Sequence, residues 1–534
     1  MTTTTGEDWS GALARARAHA PFLATLLERR PELADVLAAG DGEAALAMAR
    51  TAGDAAPSVG AALRRERQAL ALTLAIGDLA GAFPLLKVTG ELSAFADRAL
   101  DAAIADGIRR RAPDAEPGGF LALALGKHGA GELNYSSDID PILLFDPETL
   151  PRRERDDPGE AAQRVARHVV QTLSNVDGEG YVFRVDLRLR PASEVSPLAI
   201  SINAALTHYE SSALAWERAA FIRARACAGD IAAGEQFLAA IRPFVWRKSL
   251  DFGAIAEIGR LTRQIRASAR GTEAVGPGFD LKKGRGGIRE IEFYAQTHQL
   301  IHGGRQPALR LRGTRATLDA LAEAGLVPPE DARLLGESYD RLRTIEHRLQ
   351  MLRDHQTHSL PSDPEALDAA ARLDGLADGA ALVEEVAAIT QEVGARYDAL
   401  VMANTPLQAD AAVAMPAQAS LRDELEDLAS PIRPRWPSGS RAGSPGGCAP
   451  CARTQPAPRS RQCAPNSWPR WRRRPSPNAR CCAGSSFWAT CPAPSTSSAC
   501  WRRAPRCWAS WSTFSASPPR SPMPLPAGQT SSIH

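Results

Sequence analysis

Over residues 1–95 the apolar positions recur at helical spacing, in runs such as PFLATLLERR and ALRRERQALALTLAIGDLAG, and this predicts a helical N-terminal region rich in Ala, Leu and Arg. The pattern changes over residues 96–270. LALAL at 121–125 is a short apolar run suited to a buried strand; Gly126, Gly129 and Gly131 then break it, and a second apolar run follows at 142–145. Residues 181–190, YVFRVDLRLR, alternate strictly. Phe183, Val185, Leu187 and Leu189 share one face, while Arg184, Asp186, Arg188 and Arg190 share the other, which predicts a third strand. Residues 203–228 read as a helix. From 271 to 427 the 3.6-residue period returns in LDALAEAGL, ARLLGESYDRLRTIEHRL and ALVEEVAAITQEVGARYDALV, so a second helical domain is expected. The fold class is therefore α+β, with helical domains flanking a sheet-bearing domain, and the length supports at least two domains.

The chemistry concentrates at 121–146, LALALGKHGAGELNYSSDIDPILLFD. Backbone amides of a glycine-rich turn can approach a phosphate, and Lys127 adds a positive charge beside them. In an extended segment Asp138 and Asp140 point the same way while Ile139 points into the core. Two carboxylates on one face invite Mg²⁺, a hard cation held by carboxylates together with substrate phosphates. Asp186 supplies a third acid for a paired-ion site, and the arginines around it, Arg188 and Arg190 among them, suit phosphate oxygens. Each piece alone has a plainer reading, as a surface turn, an ordinary loop or a solvated sheet face. The ordered series of strand, glycine turn, Ser-Asp-x-Asp, strand and single-acid strand points to phosphoryl or nucleotidyl transfer. Pro141, which has no amide hydrogen for a ladder, marks an edge strand or a strand start.

Gly126-Lys127, then ten residues, then Asp138-x-Asp140 resembles the signature of the DNA polymerase β nucleotidyltransferase superfamily. The longer string GKHGAGELNYSSDID resembles that of the glutamine synthetase adenylyltransferase/adenylyl-removing enzyme family, as do VDLRLRP, AWERAAFIRARACAGD and LKKGRGGIREIEFYAQ. The resemblance runs from about residue 20 to 425. It implies a DNA polymerase β-like domain flanked by helical domains, in a family whose members are internally duplicated. One copy is found here, and by position it resembles the half that removes AMP from a glutamine synthetase tyrosine. That reaction is a phosphorolysis, with phosphate in and ADP out. By the same resemblance Asp138, Asp140 and Asp186 are the catalytic, metal-binding acids; Gly126, Lys127, Gly129, Ser137, Arg188 and Arg190 contact phosphate or nucleotide; and a PII-type signal protein is a partner. Two alternatives stay open: ATP-dependent adenylyl addition by the same site, and an inactive remnant. PASEVSP at 191–197 is less glycine-rich than the family pattern.

Other segments keep two readings. Trp216-Glu217-Arg218 with Arg223 and Arg225 can contact substrate or solvate a helix face. Lys282, Lys283 and Arg285 among Gly284, Gly286 and Gly287 form either an anion site at a helix start or a helix connection. His347, His355 and His358 with Asp354 suggest a metal cluster, but the spacing of Leu342, Ile345, Leu349 and Leu352 marks an amphipathic helix whose histidines need no metal.

Residues 428–534 break with all of this. They contain no Asp, Glu or Lys, yet hold 15 Arg, eight of the nine cysteines and seven of the ten tryptophans, with no helical or strand period. Such composition is expected of a GC-rich gene read out of frame, with the shift near 428–437. Without those 15 Arg the balance is 48 Lys+Arg against 61 Asp+Glu, or −13, so the whole-chain +2 gives no case for nucleic-acid binding. Only Cys227 lies in the plausible fold, which suits a reducing cytoplasm. The N-terminus has no signal pattern and no apolar run approaches a membrane span, so a soluble cytoplasmic protein is expected.

Overall fold

Asp8, Asp41 and Ser58 each accept a hydrogen bond from the amide three residues on, at Gly11, Ala44 and Ala61, and these caps start the helices Trp9–His19, Gly42–Thr51 and Val59–Leu79. Pro21 and Pro31, which lose no intrahelical bond at a first turn, start Pro21–Arg29 and Pro31–Ala38. The structure is a computed structural model and describes residues 7–248, 252–268 and 274–403. The stretch 428–534 expected to be out of frame lies outside these residues, as do 404–427. No helix among the described residues is long and apolar enough to cross a membrane.

The sheet has four strands, β1 (Phe120–Ala124), β2 (Pro141–Phe145), β3 (Ala199–Ser201) and β4 (Arg225–Gly229), in the order β3-β2-β1-β4. β1 runs antiparallel to β2, with Phe120 opposite Phe145 and Ala124 opposite Pro141, and antiparallel to β4; β2 and β3 are parallel. Pro141 is thus the first residue of an interior strand, where a missing amide hydrogen is tolerated. β1 and β2 are buried throughout, because both faces are covered. Phe120, Ala122, Ala124, Leu143 and Phe145 enter a large core shared with Leu85–Arg109 and Pro158–Ser174. Leu121, Leu123, Ile142 and Leu144 enter a second core with Tyr209, Phe221, Phe237 and Val245. The run at 121–125 therefore lacks amphipathic alternation for the same reason that it is a strand buried on two sides.

Three expectations are corrected. Residues 181–190 do not form a strand: the segment makes one isolated parallel bridge, Ile139 with Val185, before turning, because Arg188 and Arg190 fold back onto their own loop. The helix expected over 203–228 is two helices, Ile202–Ser211 and Ala215–Phe221, followed by β4, whose small residues pack against β1. The boundary drawn at residue 95 falls inside the continuous helix Leu85–Arg109, which carries the N-terminal helices onto the sheet.

The N- and C-terminal helices, read from sequence as separate regions, share one core that runs from Trp9 to Leu400. Charged side chains cross it. Arg348 on Pro329–Arg353 donates to Asp78 at 2.9 Å, and Arg67 donates to Asp354 at 2.9 Å. The burial of Arg348 beside the half-buried Asp78 is compensated by this pairing; burial alone would raise the Asp78 carboxyl, but Arg348 and His347 hold it down to about 2.

Candidate active site

Ile139 is wholly buried, and its backbone holds the acidic segment to the 181–190 run: its amide donates to the Arg184 carbonyl (3.0 Å) and its carbonyl accepts from the Asp186 amide (2.9 Å). This single bridge sets Asp138 and Asp140, on either side of Ile139, against Asp186. The glycine turn meets the same place. The Leu125 amide donates to the Asp140 carbonyl at 3.3 Å, and the short helix Gly126–Ala130 follows β1 directly. Gly126 has φ +56°, a conformation that favours glycine, and a Cβ there would lie 2.8 Å from Oδ2 of Asp140 and displace that carboxylate. A Cβ on Gly129 would lie 2.3 Å from the Arg223 carbonyl, which explains that glycine by close packing rather than by phosphate.

The three predicted acids are brought together with distinct partners. Asp138 accepts from Arg184 Nε at 2.5 Å and from Gln356 Nε2 at 2.9 Å. Asp186 accepts from Arg188 through Nε and Nη2, at 2.5–3.0 Å. Asp140 is half-buried, and its carboxylate makes no side-chain hydrogen bond among the described residues. Burial first, and the neighbouring Asp186 and Asp138 charges next, push its pKa up to about 7, against the opposing fields of Lys282 and Arg188.

The raised value carries a stability consequence with a definite sign. A carboxyl whose folded pKa exceeds its unfolded value is favoured protonated, so its contribution is intact below the unfolded pKa of about 4 and is lost as pH rises through the folded value near 7. In EDTA, the melting temperature of Asp140→Asn relative to the parent is therefore expected to climb between about pH 4 and 7 and to level off above, as read by thermal scans at fixed ionic strength. A gap that does not change with pH would refute the raised pKa of Asp140.

The other predicted site residues divide. Arg188, with its side chain 44% exposed, rims the acid cluster. Ser137 is half-buried beside it, its hydroxyl accepting from the Asn134 amide at 3.3 Å. Arg190 is spent on its own loop: its guanidinium donates to the carbonyls of Leu187, Ser193, Ser196 and Pro197, and so closes 191–197. Lys127 is committed as well. Its Nζ donates to both carboxylate oxygens of Glu346 at 3.0 Å, and Glu346 is fully buried.

The structure adds residues that sequence reading did not select. Glu346, on the helix Pro329–Arg353, also takes His358 Nδ1 at 2.6 Å and lies 3.3 Å from Arg343. The loop 131–137 is held by distant side chains. Thr314 and Tyr339 donate to Glu132, Arg343 donates to the Glu132 carbonyl and to Asn134, and the Ser136 amide donates to Gln350. Arg184 lay on the alternating polar face and His358 in a histidine-rich stretch, so each carried a local signal; Glu346, inside an ordinary helical run, carried none. His347 stands between Asp78 and Asn134, and His358 sits on Glu346, so these two histidines go to different partners.

Two further features take definite readings. The basic glycine turn before the helix Ile288–His302 has its Gly286 amide bonded to Glu290 at 2.8 Å, and the Lys282 and Lys283 amides both bond Asp280. These backbone donors are already satisfied from within, contrary to an anion site made of the helix start alone. Asp97, His128 and Cys227 have ligand atoms within 4.8 Å of one another. Arg225 forks onto both oxygens of Asp97 at 2.7 and 2.8 Å, while the Cys227 thiol donates to the Ala122 carbonyl and burial pushes its pKa up, so the trio is a knot of hydrogen bonds and charge.

Residues 10–240 match the family model for glutamate-ammonia ligase adenylyltransferase, and residues 258–401 match that for GlnD PII-uridylyltransferase. Among curated relatives, the bifunctional glutamine synthetase adenylyltransferase/adenylyl-removing enzyme of Caulobacter vibrioides is 47% identical over 379 residues, covering 68% of this chain and 38% of the relative. That of Rhizobium meliloti is 43% identical over 403 residues, covering 72% of this chain and 40% of the relative. The chain thus spans about two-fifths of the length of the curated relatives it matches.

Proposed function

Because the chain belongs over residues 10–240 to the glutamate-ammonia ligase adenylyltransferase family, we propose that it is an Mg²⁺-dependent nucleotidyltransferase that removes AMP from an adenylyl-tyrosine of glutamine synthetase by phosphorolysis. The observation that carries this reading is the cluster of Asp138, Asp140 and Asp186, in which the Asp140 carboxylate makes no side-chain hydrogen bond among the described residues. The sheet and glycine turn that bear it support a DNA polymerase β-like catalytic domain. A phosphate oxygen bonds to the adenylyl phosphorus, the bond from phosphorus to the tyrosine oxygen breaks, ADP leaves, and the phenolate takes up a proton.

The three carboxylates suit Mg²⁺: they are hard oxygen donors, their mutual repulsion calls for a cation, and one of them makes no side-chain hydrogen bond of its own. Bound there, the ion would neutralise charge on the phosphoryl oxygens and stabilise the in-line displacement. The protein's own part is positional. The Ile139 bridge sets the acids, Gly126 lets the turn approach Asp140, and Arg188 presents a half-exposed guanidinium at the rim for phosphate oxygens. The match over 258–401 to the PII-uridylyltransferase model supports a PII-type signal protein as a partner.

The full chain, given adenylylated glutamine synthetase, phosphate and Mg²⁺, is expected to release ADP in proportion to phosphate. Incorporation of AMP from ATP without phosphate-dependent ADP release would assign the adding direction instead, and neither reaction from a folded chain would overturn the proposal.

A further inference from the structure

Lys127 was the lysine expected to meet phosphate, yet it is the wrong one to be free. Its side chain is 11% exposed and its ammonium is held by both oxygens of a carboxylate that is itself 0% exposed. Burial brings its pKa down to about 8 despite that partner. Withdrawing Lys127 to contact a substrate would leave Glu346 buried and short of its main counter-charge, a costly exchange.

A second lysine stands at the same site without such a commitment. Lys282 lies on the turn between Asp280 and Gly287, and its place is fixed from several sides. The Asp280 side chain accepts from the Lys282 and Lys283 amides, the Leu281 amide donates to the His358 carbonyl at 2.7 Å, and the Lys282 carbonyl accepts from Arg289. Asp280 also bridges Ser359, so the turn is anchored to the segment that carries Gln356, the partner of Asp138, and His358. While its backbone is held in this way, the half-buried Lys282 side chain makes no hydrogen bond or ion pair among the described residues. Its charge nevertheless reaches Asp140, Glu292, Lys127 and His358, in keeping with a turn whose Leu281 amide is tied to the His358 carbonyl.

We infer that Lys282 is the cation that contacts the phosphate of the nucleotide or of the attacking phosphate, and that Lys127 instead anchors the glycine turn to the helix Pro329–Arg353 through Glu346. The inference rests on the nucleotidyl-transfer reading above. The physical reason is economy of charge. An ammonium that makes no hydrogen bond or ion pair of its own, within reach of Asp140, gains most when an anion and its counter-ion arrive together, whereas one already paired with a buried carboxylate gains little.

The test is calorimetric titration of ADP in Mg²⁺ into the full chain and into its Lys282→Met and Lys282→Arg variants, with ADP release from adenylylated glutamine synthetase followed in parallel. Lys282→Met is expected to weaken ADP binding by about tenfold or more and to raise the KM for phosphate, with melting temperature unchanged, while Lys282→Arg recovers most of the affinity. Unaltered ADP affinity and phosphate KM in Lys282→Met overturn the inference, as does an arginine variant as weak as the methionine one. A parent that binds ADP with Mg²⁺ but releases none from adenylylated glutamine synthetase defeats the adenylyl-removing reading alone, because the binding comparison still decides the role of Lys282. A folded parent that binds no ADP overturns both.

Discussion

Asp138→Asn/Asp140→Asn is expected to lower phosphate-dependent ADP release by about a thousandfold or more while leaving the fold intact. Asparagine keeps the shape of each side chain and removes the charge. The Ile139 bridge that sets the segment is made by backbone atoms, so it survives the double substitution. The variant loses two of three carboxylate charges, and its thermal stability without metal is expected to stay close to the parent's, because relief of the repulsion around Asp140 offsets the weakened pairing of position 138 with Arg184. Loss of activity together with loss of fold would say nothing about metal, so the melting curve belongs to the experiment. A folded variant that keeps more than about a tenth of parental turnover would remove the acids from the chemistry.

Glu346→Ala is expected to be the most damaging single change to stability, at about 3–5 kcal/mol, the range for removing one partner of a buried ion pair. The side chain is fully buried and serves Lys127, His358 and Arg343 at once. Its removal leaves the Lys127 ammonium and the Arg343 guanidinium in the interior without their carboxylate. Burial alone would raise the Glu346 pKa, but Lys127, His358 and Arg343 together hold it well below the ordinary carboxylate range. Stability from a depressed carboxyl is present above its unfolded pKa of about 4.3 and disappears as pH falls through the lower folded value. The gap between parent and variant in denaturant midpoint should therefore be wide at pH 7 and narrow steadily below about pH 4. A gap of less than about 1 kcal/mol at pH 7 would mean that the lysine finds water or another acid, and that the anchor assigned to this pair does not exist.

Much of the site was legible in the chain because it is built from short-range features. A strand, a glycine turn and a Ser-Asp-x-Asp segment lie within 26 residues, and their order alone indicated which atoms would converge. The strands at 121–125 and 142–145 were readable because apolar runs of that length between turn residues have few other uses. The placement of Asp186 beside Asp138 and Asp140 was readable even though its strand was not real: a period-two pattern reports which face is buried, and one bridge at Val185 is enough to produce it. Arg190 shows the limit of that reading. It shares a face with Arg188 in sequence, but after one bridge the chain turns, and its guanidinium closes a loop. The predicted helix over 203–228 failed for a related reason, since alanine-rich segments satisfy a helical pattern and a buried edge strand alike until a neighbour such as β1 is there to pair with.

The chain by itself determined the local chemistry: the carboxylates and their spacing, the glycine that precedes them, the strands that flank them, and the helical character of the described regions on either side of the sheet. Those depend on neighbours a few residues apart, where backbone geometry leaves little choice. The tertiary structure decided which charges are available. Lys127 is bound across 219 residues to Glu346, Gln356 reaches Asp138 across 218, and the loop before the acids is held by Glu132 and Asn134 through helices more than 170 residues away. Such pairings follow from packing the N- and C-terminal helices into one core. No local pattern encodes them, because a buried charge is specified by whatever partner the fold brings to it.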